Sequence, residues 1–368
     1  MSSPTAASQS SAEPGAARAR TTARRFVVEA WRGTGVESRH EVWCAFVPGL
    51  ERGASTVPLA ALPAPFMRSA AKPFQLLPLL LAGGAERFAL DDADVAVMCA
   101  SHDGTDLHAQ RVAAILKRMG LGPAALGCGI HRPYFLEKLP AESPERWRVF
   151  DALHNNCSGN HAGMLGLALL HGVDPARYLD PGSRSQQLAS SVVAALSGVE
   201  PVLATDDCSA PCYAMPLDAM AEAYRFLAHP SAVRQLPAAR RARFATLGDL
   251  DRVEQALERI SSAMASEPAW LSGDTTGATR FARALPGQIV AKHGAEGVLC
   301  VAHRGRNAAL AFKVADGNSR ALMPALLAAV DLVGWLSPTL RNALADLVEP
   351  PLVGRVGQRV GQLRVVPA

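Results

Sequence analysis

Aromatic residues and lysine are both scarce in this 368-residue chain: phenylalanine, tryptophan and tyrosine together make up 5% of it, and lysine occurs five times. The 37 basic residues are therefore mostly arginines, and they lie scattered among 33 acidic ones, so that the net charge of +4 is spread over the whole length. No basic stripe or run forms, which excludes the footprint of a nucleic-acid binder. Long apolar runs are lacking too. LLPLLLAGGA (76–85) and ALMPALLAAVDLVGWL (321–336) are interrupted by proline or aspartate and fall short of a membrane span. Cysteine occurs at 44, 99, 128, 157, 208, 212 and 300, an odd and widely spaced set that does not form a disulfide framework for a chain of this size. The expected compartment is a reducing cytoplasm. The first 25 residues, rich in Ala, Ser, Pro and Arg, contain no apolar stretch of a secretory signal and read as a disordered tail.

What is present is a globular composition, 49% hydrophobic and 19% charged. That is enough for one large core or two ordinary ones. RFVVEAWRG and HEVWCAFVPG read as strands around a polar turn near Gly33 to Arg39, and EGVLCVAHRG and NAALAFKVADG repeat that pattern near the other end. HAQRVAAILKRMG (108–120), HAGMLGLALLHG (161–172), DLDRVEQALERISSAMA (249–265) and the 321–336 run have helical spacing. Residues 26–368 are thus expected to form one two-lobed catalytic unit of the α+β class. An antiparallel sheet from both chain ends is flanked by helices, with an inserted helical lobe over roughly 100–270.

The stretch RSAAKPFQ sets Ser69 three positions before Lys72, with Pro73 next. Proline fits a helix only in its first turn, so the spacing predicts a helix starting close to Ser69, with Ser69 and Lys72 on one face. The positive end of the helix dipole disfavours a second cation and stabilises an oxyanion, which suits a serine nucleophile with a lysine base. With 24 serines and 5 lysines in the chain, chance yields roughly 0.3 such pairs, so the motif is not diagnostic alone. VAVMCA (95–100) reads as a buried strand, which places Ser101, His102 and Asp103 at a strand-to-helix junction. Lys292, in QIVAKHGAEGV, stands just before another strand. Ser-x-x-Lys, Ser-x-polar and Lys-x-Gly in this order are the motifs of penicillin-binding enzymes, β-lactamases and serine-dependent glutaminases. Here His293 stands where the third motif has Thr or Ser.

NNCSGNHAGM (155–164) and DDCSAPCYAMPL (206–217) place Cys157 and Cys208 in polar turns that lead into apolar helices. Two cysteines there are either thiolate metal ligands or turn residues, and about 50 residues apart without a C-x-x-C pair their spacing decides neither. Cys128 and Cys212 read as structural.

Several stretches together resemble the rhizobial-type (class 3) L-asparaginases, also called asparaginase II: RGTGVESRH (32–40), RSAAKPFQ, CASHDGTDLH (99–108), LGCGIHRP (126–133), NNCSGNHAGM, DDCSAPCYAMPL, AKHGAEGV (291–298) and KVADGNSRA (313–321). The resemblance implies hydrolysis of L-asparagine to aspartate and ammonia on a fold similar to that of serine β-lactamases and glutaminases. It also implies a homodimer. Two serine and lysine pairs would face one pocket, Ser69 with Lys72 and Ser101 with Lys292, the second relaying the proton to departing ammonia. Cys157 and Cys208 match positions that bind zinc, and Asp207 matches a nearby pocket residue. Arg68 is a candidate for the substrate α-carboxylate through a bidentate contact, or a solvated surface residue. His102 is a pocket imidazole or a structural donor.

Two positions depart from the family pattern. Asn160 stands where a lysine usually joins the zinc shell, so zinc would rest on Cys157, Cys208 and a weaker amide donor, with His161 adjacent. Thr105 replaces the glutamate of the Ser101 motif. Two other readings stay open: a glutaminase or penicillin-hydrolysing serine enzyme, and a catalytically silent homologue that binds an amino acid or zinc.

Overall fold

The protein is described here by a computed structural model covering residues 21–48, 57–244 and 248–366. Val, Phe and Trp at alternate positions make β1 (Thr22–Arg32) and β2 (Gly35–Val47) a hairpin. Gly33, at φ +57°, and Thr34 alone make the turn, so most of the polar stretch 33–39 is strand. β2 pairs with β7 (Ala308–Val314), β7 with β6 (Val298–His303) and β6 with β5 (Ile289–Gly294). On the other side β1 pairs with β9 (Arg359–Val366), which pairs with β8 (Pro351–Val353). The sheet order is β5-β6-β7-β2-β1-β9-β8 and every pair is antiparallel. A small ribbon, β3 (Val202–Thr205) with β4 (Pro211–Ala214), stands apart. The expected α+β class and the sheet shared by both chain ends are present.

Three expectations change. Residues 22–25, assigned to the tail by composition, begin β1, whereas residues 1–20 lie outside the described residues. Helices recur along the chain from Arg68 to Ala284, interrupted by the β3 and β4 ribbon, a wider segment than 100–270. VAVMCA is not a strand but most of α2 (Asp92–Met98; α1 is Lys72–Leu81). A run of six apolar residues buried on all sides has no period to show. The signal that decides it lies upstream: the Asp91 side chain accepts from Asp94 N–H at 2.7 Å, and the Asp94 side chain accepts from Asp91 N–H at 3.1 Å, a reciprocal helix cap.

The period-2 alternation of the strands divides the core in two. Val47, Val290, Val298 and Cys300 face the helices that follow α2, namely α3 (Asp106–Arg118), α4 (Ser158–Leu170), α5 (Arg184–Ser197), α6 (Leu217–Ala228) and α7 (Leu250–Ser266). Val28, Phe46, Leu299 and Phe312 pack on the other face against α8 (Gly277–Ala284) and α9 (Leu322–Leu332). α1 is buried along its entire length, so the residues it carries are fixed at the centre of the helical layer. Among the described residues no helix is long and apolar enough to cross a membrane.

Candidate active site

The residues between α2 and α3 form the floor of the site. Ser101 N–H donates to the Leu271 carbonyl at 2.9 Å and His102 N–H to the Asn156 carbonyl at 3.1 Å, which pins this extended stretch on both sides. Lys72 starts α1 after the 3₁₀ turn Arg68–Ala71, with Pro73 in the first turn as its missing N–H requires. An ammonium has three donors, and Lys72 uses them on the Ala100 carbonyl at 2.6 Å, Ser101 Oγ at 3.0 Å and Cys157 Sγ at 3.1 Å. Ser69 is not among these partners. Lys292 lies inside β5 rather than before a strand, and it donates to Ser101 Oγ at 2.9 Å and to the His293 carbonyl at 2.8 Å.

One serine hydroxyl therefore sits between two buried amines, Lys72 and Lys292, which are 3% and 1% exposed. Burial, and then the charge of Lys72, hold the Lys292 pKa well below its usual value, which favours the neutral amine there. The Cys157 pKa is lowered by the hydrogen bond from Cys208; this, with the Lys72 charge, outweighs burial and brings it to about 5. Cys208 keeps the shared proton, and its pKa is raised by that same hydrogen bond and then by burial. The Lys72 amine and the Cys157 sulfur thus lie hydrogen-bonded behind Ser101.

Ser69 and Ser101 open onto one cavity of about 410 Å³, whose lining includes Asn156, Tyr134, Glu296 and Ser319. Gly294 of β5 lets the sheet approach the serine turn: a Cβ there would lie 2.5 Å from the Met67 carbonyl oxygen. The edge strand that carries Lys292 is thereby seated directly against the turn that carries Ser69.

Other expected residues lie elsewhere. The Arg68 guanidinium is held by Asp206 at 3.0 and 3.1 Å and by Asp207 at 2.5 Å, and it does not line the cavity. Burial opposes its charge, but Asp206 and then Asp207 raise its pKa on balance. Asp207 is largely exposed and points at Arg68. Fully buried His102 accepts Gly104 N–H at Nδ1 and therefore donates from Nε2 to Ser158 Oγ at 3.0 Å, the bonding of a structural imidazole. Thr105, at the start of α3, meets His108 Nδ1 at 2.6 Å. Composition and spacing missed Asp206, the main partner of Arg68, and Asn156, Tyr134 and Glu296, whose place on the cavity depends on tertiary contacts alone. Asn156, Asp206 and Glu296 nevertheless lie inside quoted stretches, NNCSGNHAGM, DDCSAPCYAMPL and AKHGAEGV.

Cys157 caps α4 as expected, but Cys208 sits in the turn of the β3 and β4 ribbon, not at a helix entry. Among the described residues no three His, Cys, Asp or Glu side chains form a group able to hold a metal. The two hydrogen-bonded sulfurs are nonetheless accompanied by Asn160, one helical turn from Cys157, whose buried Oδ1 has no hydrogen-bond partner. Two sulfurs and one neutral oxygen are a donor set that zinc accepts, weaker than one with a third charged or nitrogen ligand. His161 is turned to Tyr178, 2.5 Å from its hydroxyl through Nδ1.

A sequence model of the L-asparaginase II family matches residues 28–365. No curated protein matches the chain.

Proposed function

The chain belongs to the L-asparaginase II family, and from that premise we propose that it hydrolyses the side-chain amide of L-asparagine to L-aspartate and ammonia by serine and lysine catalysis. The observation that carries the reading is the placement of Ser101 Oγ between Lys72 Nζ and Lys292 Nζ, at 3.0 and 2.9 Å, beside a cavity that also presents Ser69. Ser101, bonded on both sides, conducts protons, and Ser69, unengaged by either lysine, is the nucleophile. Lys72 then acts through Ser101 rather than on Ser69 directly. With Lys292 neutral, the Ser101 O–H turns to the Lys292 lone pair and Ser101 accepts from Ser69, so that the Ser69 proton passes by way of Ser101 to Lys292 while the Ser69 oxygen attacks the amide carbon. The backbone amide of Ser69 in the turn before α1, with that of Ala295 just after β5, would receive the oxyanion. Lys292 returns its proton along the same route to the departing ammonia. Water, activated by the same unit, then releases aspartate and restores Ser69.

Glu296 carries the one carboxylate on the described cavity lining, which suits the substrate α-ammonium. Zinc, held by Cys157, Cys208 and Asn160, would supply positive charge beside the Lys72 end of this unit. The same reading carries a fold similar to that of β-lactamases and glutaminases, a homodimer and a cytoplasmic location.

The test is ammonia release from asparagine and from glutamine by the purified protein, beside hydrolysis of a chromogenic β-lactam. Asparagine is expected to be preferred, because one added methylene displaces the amide carbon from a fixed nucleophile. Preference for glutamine or the lactam transfers the assignment to those activities, and no turnover of any of the three leaves a silent homologue. Ser69→Ala is expected to lower kcat by 10³-fold or more, an order typical of a lost nucleophile. If it keeps more than roughly a tenth of kcat, about 1.4 kcal/mol or less of lost transition-state stabilisation, Ser101 is the nucleophile instead.

A further inference from the structure

Two of the stretches that carry the family resemblance, 32–40 and 313–321, supply no member of the serine and lysine unit, yet the fold joins them. His40, on β2 opposite Val28 of β1, is 3% exposed. Its Nδ1 lies 2.6 Å from Asp316 Oδ2, and its Nε2 lies 2.9 Å from Arg320 Nε, whose Nη2 donates to Ser38 Oγ at 2.6 Å. A guanidinium only donates, so Nε2 is the acceptor, and Nδ1 carries the proton given to Asp316. His40 is thus held in one neutral tautomer between a carboxylate and a guanidinium.

These bonds tie the exposed loop 315–320 to β2, beside the loop's own backbone bonds from Gly317 N–H to the Val314 carbonyl at 3.1 Å and from Ala321 N–H to the Asn318 carbonyl at 3.3 Å. Asp316 and residues 318–320 are solvent-exposed, and an exposed polar loop is ordinarily mobile. Ala315 N–H donates to the Glu41 carbonyl at 2.8 Å, Asn318 N–H to Asp316 Oδ1 at 3.0 Å and Arg320 N–H to Asn318 Oδ1 at 3.2 Å, so the loop is folded around Asp316. Gly317 and Ser319 of this loop line the cavity that Ser69 and Ser101 share, whereas His40, Asp316 and Arg320 do not. We propose that His40, with Asp316 and Arg320, is a positioning unit that holds the Gly317 to Ser319 wall in place and so sets the length of side-chain amide the cavity accepts. The proposal rests on the amide-hydrolase reading above. A wall that binds ground state and transition state alike acts on KM, and a displaced wall loses its discrimination of one methylene.

The test uses the full chain with His40→Ala, His40→Gln and Asp316→Ala. Steady-state kinetics on asparagine and glutamine are combined with hydrogen exchange of the 315–319 amides. His40→Ala and Asp316→Ala are expected to raise the asparagine KM roughly tenfold with kcat within about twofold, and to raise the glutamine to asparagine ratio of kcat/KM by a similar factor. Exchange in 315–319 should quicken in both. Glutamine at position 40 can offer an amide N–H to Asp316 and its carbonyl oxygen to Arg320, so His40→Gln should recover most of the selectivity. Asp316 is half-exposed at the surface, and its variant remains informative if His40→Ala does not fold. Unchanged selectivity and unchanged exchange in Asp316→Ala overturn the proposal, as does a loss of thermal stability with no shift in the substrate ratio. A wild-type protein that turns over neither amide instead defeats the amide-hydrolase reading, and the exchange of 315–319 still decides whether the strut exists.

Discussion

Lys292 and Lys72 show how far spacing carries at the scale of single residues. Ser-x-x-Lys and Lys-x-Gly were legible because local geometry constrains them: proline fixes the helix start, and glycine admits the close approach of β5 to the serine turn. The contact of Lys72 with Ser101 was not legible, since Ser101 comes to Lys72 from another helix junction. A buried neutral lysine also has a thermodynamic signature. The Lys292 pKa is lowered in the fold, so between that value and its ordinary pKa the unfolded chain binds a proton that the folded chain does not, and stability rises with pH. Lys292→Met removes this cost. The variant is expected to gain stability relative to wild type near pH 7, with the difference shrinking by up to about 1.4 kcal/mol per pH unit toward pH 10, while turnover is abolished. Urea midpoints across that range check it, and a pH-independent difference would mean that Lys292 is charged in the fold. Asn160 makes a second residue-scale expectation. Two sulfurs and an amide oxygen should hold zinc at partial occupancy, and Asn160→Lys should raise zinc content measured by elemental analysis. Stoichiometric zinc in both proteins would make Asn160 an adequate ligand, and none in either would make the cysteines structural.

Among whole elements, the amphipathic helices α3 and α7 were visible because one side of each meets water and their polar residues repeat with the helical period. α2 was misread for the opposite reason. Its apolar run is buried all round, and a buried strand has the same composition. The terminal strand β9 went unread because its apolar residues, Val360, Leu363, Val365 and Val366, keep no period of two and only Leu363 is buried. How α2 meets α4 is decided by Gly159, where a Cβ would lie 2.1 Å from the Val97 carbonyl oxygen, a backbone atom that cannot turn aside. Gly159→Ala must therefore push α4 off α2, displacing Cys157 from the Lys72 amine. A loss of about 2 kcal/mol in chemical unfolding is expected, within the range for overpacked cores, together with most of the activity. Gly163→Ala is the control. There the nearest atom is Leu76 Cδ1 at 3.2 Å, a side-chain terminus able to rotate, and the expected loss is below about 1 kcal/mol. Equal losses in the two variants would show that the helix crossing does not depend on Gly159.

For the molecule as a whole, the sheet was legible as the product of both chain ends, but its closing strands separate two things that composition cannot: what holds the fold and what forms the site. β9 covers β1 along Val27 to Arg32 and buries Leu363 against the α8 and α9 face, at the far side of the sheet order from β5. None of its residues lines the cavity. Removing residues 350–368 would turn the 11-residue β1 into a sheet edge with unpaired N–H and C=O groups, a template for intermolecular pairing. The lost ladder bonds and the lost packing of Leu363 against the α8 and α9 face together should cost on the order of 3–5 kcal/mol. The truncated protein is therefore expected to be mostly aggregated. Its soluble fraction should keep the full-length KM for asparagine, because Lys72, Ser101 and Lys292 retain every bond described here. Size-exclusion chromatography followed by kinetics on the monodisperse peak checks both halves. A soluble truncation of unchanged stability would mean that β1 tolerates an open edge, and an altered KM in a well-folded fraction would mean that the sheet transmits strain from β9 across to β5.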